Sequence, residues 1–159
     1  MKYSIVYSSL TGNTKKLAES IKNKIGECYF GKSSDEALEA DIIFIGFWAI
    51  GNSCGEDIKT FIEKLSDKKI FIFGTCGYNN TKEYFDGILD KVKSLIPESN
   101  TIVGSYMCQG KVSQAKQDNI KETKPEKYQE MKAKLEEAEN HPNEDDIKGL
   151  ISEIDKLDL

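Results

Sequence analysis

Lys2-Tyr3-Ser4-Ile5-Val6-Tyr7-Ser8 runs without a break into Ser9-Leu10-Thr11-Gly12-Asn13-Thr14. The first seven residues read as a buried strand. The next six form a turn with hydroxyls on both sides of a glycine. Leu17, Ala18, Ile21 and Ile25 then fall on one helical face between Lys15 and Ile25. A strand, a hydroxyl-rich turn and a helix in that order bring several side-chain O–H and backbone N–H groups to the positive end of a helix dipole. Such a concave run of amides holds an anion without a cation, which suits a phosphate monoester. The turn lacks the GK[ST] ending of a Walker loop and the GxGxxG of a dinucleotide site. As an ordinary capped turn, the same residues offer Thr11 or Asn13 as the N-cap.

Further along, apolar runs keep alternating with helix-period segments. Strand patterns are expected at Glu27–Phe30, Asp41–Phe47, Lys69–Gly74 and Thr101–Cys108, with a short helix or turn at Ser33–Leu38. Ile58, Phe61, Ile62 and Leu65 mark one helix. Tyr84, Phe85, Ile88, Leu89, Val92 and Leu95 mark another, ended by Pro97. Strands alternating with helices imply parallel pairing with both sheet faces covered. Right-handed crossovers and five strands favour an α/β, doubly wound sheet in the order 2-1-3-4-5. Ligands in such sheets bind beside the switch point, at the loops after Ser8, Phe47 and Gly74. After the fifth strand, Lys111–Asn140 is rich in Lys, Glu and Gln. Within it Pro125 is expected in a first helical turn, followed by Tyr128, Met131, Leu135 and Ala138 at helical spacing. His141-Pro142 separates this from a last helix striped by Ile147, Leu150, Ile151, Ile154 and Leu157.

Composition removes several function classes. The 159 residues carry a net charge of −5, with hydrophobic residues at 38% and charged ones at 31%. All 22 basic residues are lysines. Nucleic-acid readers favour basic patches and bidentate arginines, so nucleic acid is not expected as a partner. No apolar run is long enough for a membrane span, and the start has no signal-peptide shape, so a cytoplasmic protein is expected. Cys28, Cys54, Cys76 and Cys108 form no CxxC pair and only one histidine is present. A metal site is therefore not expected, and reduced thiols are.

The string Ile5–Thr14 resembles the FMN phosphate loop of the flavodoxins, whose pattern is (T/S)-x-T-G-x-T. Ser9, Thr11, Gly12, Asn13 and Thr14 match it, and Leu10 takes the variable position. Two more loops agree. Phe47-Trp48-Ala49-Ile50-Gly51-Asn52 is similar to the family's loop against the flavin ring. Gly74-Thr75-Cys76-Gly77-Tyr78 is similar to its second ring-enclosing loop. The resemblance spans residues 2–110 and implies a single flavodoxin-like domain over 1–159, with extra C-terminal helices at 111–159. It implies FMN as cofactor, held by Ser9, Leu10, Thr11, Gly12, Asn13, Thr14, Trp48, Ala49, Ile50, Gly51, Asn52, Thr75, Cys76, Gly77, Tyr78 and Gln109. Trp48 or Tyr78 would stack on the ring, although the family more often has its loop aromatic at the position of Ile50. A backbone carbonyl at Gly51 would turn to accept the N5–H of one-electron-reduced flavin. Cys76 would pack near the ring, with no sign of an activated thiolate.

The implied function is electron transfer between a reductase and an acceptor enzyme, as a monomer or weak dimer. Acids near the ring would lower the potential of the anionic fully reduced flavin, whereas Lys111 would favour that anion. Gly46-Phe47-Trp48, Phe73-Gly74-Thr75, Cys108-Gln109-Gly110-Lys111 and His141-Pro142 with Asp145-Asp146 resemble a branch of short bacterial flavodoxin-like proteins. One of its members is associated with bilirubin reduction, which makes a bilin reductase the candidate acceptor. Two other readings stand beside this one. The Ile50-Gly51-Asn52-Ser53 loop also resembles that of FMN-dependent NAD(P)H or quinone reductases, and a flavin-free scaffold shares the architecture. A phospho-receiver is disfavoured, because Gly46-Phe47 stands where its aspartate belongs.

Overall fold

The computed structural model describes residues 1–159. Five parallel strands form one sheet: β1 (Tyr3–Tyr7), β2 (Tyr29–Gly31), β3 (Ile42–Trp48), β4 (Lys69–Cys76) and β5 (Thr101–Gln109). Their order is β2-β1-β3-β4-β5, as the alternation implied. The helices are α1 (Asn13–Ile25), α2 (Glu56–Glu63), α3 (Lys82–Lys93), α4 (Gln114–Thr123), α5 (Pro125–Ala138) and α6 (Glu144–Asp155), with a 3₁₀ turn at Asp35–Glu39.

Side-chain alternation along the central strands builds two cores. Ile43, Ile45 and Phe47 of β3 face α2 and α3, together with Ile58, Phe61, Ile62, Ile88, Leu89 and Val92. Phe44 of β3 faces the other way, with Ile5, Phe71 and Phe73, against Leu17, Ala18 and Ile21 of α1 and Leu150 and Ile154 of α6. Burial on both faces is why these strands read as continuous apolar runs.

Glycines on the central strands seat phenylalanines of their neighbours. Gly46 pairs in register with Phe73, and Phe47 with Gly74. A Cβ at Gly46 would lie 2.4 Å from the Phe73 ring, and one at Gly74 would lie 2.6 Å from the Phe47 ring. These two close approaches, one on each face, set the ring packing at the carboxyl end of the sheet.

The C-terminal region departs from expectation at one point. Residues 111–140 hold two helices, α4 and α5, where the apolar spacing showed only the second. Pro125 occupies the first turn of α5 as anticipated. Past His141-Pro142, Asn143 caps α6 reciprocally: its side chain accepts from the Asp146 N–H at 3.1 Å, and Asp146 Oδ2 accepts from the Asn143 N–H at 2.8 Å. Asn143→Ala removes one of these bonds and is expected to cost about 1 kcal/mol. Differential scanning calorimetry would show this as a loss of roughly 2–4 °C.

Candidate functional site

The loops after β1, β3 and β4 converge because their strands are neighbours in the sheet. Ladder-like bonds continue past the strand ends: Ser8 N–H donates to Gly46 O at 3.0 Å, and Ala49 N–H to Thr75 O at 2.9 Å. On the far side, Gly110 N–H donates to Cys76 O at 2.8 Å. Together they line an open groove at the carboxyl end of the sheet. Ser9, Leu10, Thr11, Asn13, Thr14, Trp48, Ala49, Thr75, Cys76 and Gly77 all face it. A second chamber of about 590 Å³ adjoins it and shares Ala49, Cys76 and Gly77, adding Gly51, Asn52 and Tyr78.

The first loop is built as an anion seat. Gly12, at φ 94°, is the N-cap of α1 and has no side chain to cap it. Neither Thr11 nor Asn13 plays the capping role that the sequence offered them. Instead Ser9 Oγ accepts from the Gly12 N–H at 3.1 Å and the Lys15 N–H at 3.3 Å, which leaves its own proton to donate. The opening amides of a helix have no intrahelical acceptor, which leaves those of Asn13 and Thr14, both lining residues of the groove, without one. Asn13 Nδ2 donates to Lys111 O at 2.8 Å and ties this loop to the chain after β5.

Thr14 serves a different purpose from its neighbours. Its hydroxyl is fully buried, donating to Phe47 O at 3.1 Å and lying 3.1 Å from the Thr75 hydroxyl. One side chain thus joins all three loops, with its oxygen turned into the protein.

The second loop carries a two-residue hairpin. Ile50 N–H donates to Ser53 O at 2.8 Å and Ser53 N–H donates to Ile50 O at 3.1 Å. Between them Gly51 and Asn52 both have positive φ, 56° and 63°, as a primed turn requires. The ends of this turn are stapled, and the Gly51–Asn52 peptide is not. Ile50 is exposed and lines neither chamber, its side chain lying toward Gly55. In the third loop Lys134 Nζ stands 4.9 Å above the Tyr78 ring, a cation–π contact from α5.

Gln109 is brought to the same end of the sheet but beneath α5, not into the groove. It is fully buried, with Nε2 3.5 Å from Lys134 O and Oε1 without a partner. Sequence reasoning assigned no cofactor contact to Val112, Ser113 or Lys116, which line the groove with Lys111, or to Tyr84, Ile120 and Met131 of the second chamber. A strand end at Gln109-Gly110-Lys111 was the one signal pointing there.

Of the two charges expected at the groove, Lys111 is present and the acids are not. No carboxylate lines either chamber, and the charged lining residues are Lys111 and Lys116. Lys111 is paired with Glu139 at 3.2 Å. Burial pushes the Cys76 thiol up to about 11, against weaker lowering by the Asn79 and Tyr78 backbone. The folded chain therefore binds more protons than the unfolded one between about pH 9 and about pH 11. The stability of the neutral thiol is intact below pH 9 and is lost as pH rises through about 11. Denaturation midpoints measured across that window should fall less steeply in Cys76→Ala than in the parent. At pH 7.5, iodoacetamide should leave Cys76 unmodified in the folded protein.

A hydroxyl and amide seat for a phosphate shares its groove with Trp48 and adjoins a chamber lined by Tyr78, and this donor set fits FMN. The chain belongs to the flavodoxin family: the flavodoxin domain model matches residues 4–154. A flavodoxin-like domain-containing protein, BilS, of Clostridioides difficile (strain CD3) is 36% identical over 92% of this chain and 90% of that protein. A flavodoxin of Clostridium beijerinckii is 38% identical over 49% of this chain and 67% of its own length. Among solved structures, a flavoprotein in complex with FMN from Lactobacillus acidophilus NCFM superposes with a TM-score of 0.51 at 19% identity. That match covers 67% of this chain and 93% of the other, and it speaks to the fold. No helix is long and apolar enough to cross a membrane.

Proposed function

We propose that this protein binds FMN and carries electrons, one at a time, between a cytoplasmic reductase and an acceptor enzyme. The observation that supports this best is the composition of the groove. It offers an anion seat, aromatic residues and a stapled turn, but no carboxylate and no histidine. Its titratable lining residues are Lys111 and Lys116, the phenols of Tyr78 and Tyr84, of which burial raises the second, and one thiol held neutral by burial. Such a site binds and tunes a cofactor and leaves the redox chemistry to it.

Each part of the chain has a task under this reading. Ser9, Thr11 and the opening amides of α1 hold the phosphate. Thr14 fixes the relative position of the three loops. Trp48 and Tyr78 flank the ring. The unstapled Gly51–Asn52 peptide can present either its carbonyl or its N–H toward the ring as the charge there changes. FMN when bound supplies the electron-accepting chemistry. The acceptor enzyme we favour is a bilin reductase, following the resemblance carried by the Gly46-Phe47-Trp48 and Cys108–Lys111 strings.

The test is an FMN titration followed by flavin fluorescence, then stepwise anaerobic reduction with absorbance recorded throughout. Tight binding with two separated one-electron steps supports the carrier. Binding with a single two-electron step, together with oxidation of NADH or NADPH by the purified protein, would replace it with a reductase. Absence of binding would leave a scaffold.

A further inference from the structure

The fourth wall of the flavin groove comes from residues 111–131, and its two helices are held very differently. Met131, Leu135 and Ala138 of α5 are buried. Lys134 stacks over Tyr78, and Asn80 Nδ2 donates to Glu137 Oε1 at 3.0 Å. That helix is fixed to the third loop. By contrast α4 buries no residue at all. The base of its lead-in is pinned, with Asn13 Nδ2 on Lys111 O and Lys111 N–H donating to His141 O at 2.8 Å. Beyond that base the side-chain hydrogen bonds of α4 are its own, among them Gln117 Nε2 to Val112 O at 2.8 Å and Ser113 Oγ accepting from Lys116 N–H at 3.2 Å, and its side-chain tie to α5 is the exposed Lys121 Nζ, 5.8 Å from the centre of the Tyr128 ring. Lys124, at φ −140° and ψ 65°, is the non-helical joint between α4 and α5.

This loosely held piece nevertheless reaches the centre of the groove. Val112 lines both chambers and stands over Gly77, where a Cβ would lie 2.4 Å from Val112 Cγ2. Lys116 lines both chambers as well. The junction that Val112 and Lys116 border is where a ligand spanning the phosphate seat and the aromatic pair must cross. An element with no buried side chains opens at low cost in free energy.

We infer that residues 112–123 form a hinged cover for the cofactor, fixed at Lys111 and jointed at Lys124, with Val112 and Lys116 as cofactor-contacting residues. The cover swings away to admit FMN and closes with Val112 on the ligand at Gly77. This rests on the FMN reading above.

Amide hydrogen exchange on the full chain tests it, with α6 as internal reference and fluorescence quenching confirming occupancy. The free protein should exchange the α4 amides much faster than those of α6. Saturating FMN should slow exchange in α4 at least tenfold and leave α6 unchanged. Val112→Ala should raise the FMN release rate several-fold with an unchanged melting temperature, and Glu122→Ala, an exposed position on the same helix, should not. If FMN binds while α4 exchange stays the same, or if the Val112 variant releases FMN at the parental rate, the cover is wrong. If FMN does not bind at all, the carrier reading falls first and the cover falls with it.

Discussion

Gly46→Ala is expected to destabilise the protein by about 3 kcal/mol, the upper part of the range for overpacking a well-filled core. The added methyl would stand 2.4 Å from the Phe73 ring and 3.0 Å from Thr14 Cγ2. Phe73 is fully buried between strand neighbours and α1, so its ring has nowhere to go. Thr14, fully buried as well, is the tie among the three rim loops. Relief by pushing α1 outward therefore also disturbs the phosphate seat. Thermal melting should show a fall of roughly 6–12 °C. FMN, if it binds the folded variant, should bind more weakly than to the parent. A melting temperature within 2 °C of the parent would mean that Phe73 can be displaced cheaply, and the packing argument would fail.

The second large effect is on affinity. Gly12 sits at φ 94° with open space where a Cβ would go. Any penalty at this position is thus conformational and not steric crowding. Gly12→Val forces a β-branched residue into a left-handed backbone, a cost of about 1–3 kcal/mol. The exposed turn escapes the cost by changing shape, which turns its amides away from the groove. FMN affinity should drop by about tenfold to a hundredfold, equivalent to about 1.4–2.8 kcal/mol. Riboflavin, which lacks the phosphate, is the control and should lose little. Equal losses for both ligands would show that the turn does not hold the phosphate.

The parts of this molecule that were legible in its sequence share one property: a local pattern with a single physical explanation. Ile42–Phe47 and Ile70–Gly74 are apolar throughout because parallel strands are covered on both faces. Ser9–Thr14 reads as a strand-to-helix turn because a glycine among hydroxyls stands between an apolar run and a helical stripe, and the structure has that turn there. Residues 114–123 had no such pattern. A helix with no buried face has no apolar stripe, so α4 left no periodic trace, although it contributes Lys116 and Ile120 to the chambers. The position of Gln109 was recoverable in part. Alternation along β5 puts it on the same face as Met107, under the helices and away from the groove. The acids expected beside the ring failed for another reason. Net charge is a property of the whole surface, and this rim is supplied by lysines of the C-terminal insertion.

The rim loops inherit the stiffness of the sheet. Ser8, Ala49 and Gly110 each extend the strand ladder one bond beyond its end, and the Thr14 hydroxyl bridges two of the loops from behind. Dipoles fixed in this way do not have to reorient when the charge beside them changes. For a protein that passes electrons, the nuclear rearrangement accompanying each transfer is then small and confined to the Gly51–Asn52 peptide. Under the proposed reading, exchange with a partner would be limited by the encounter.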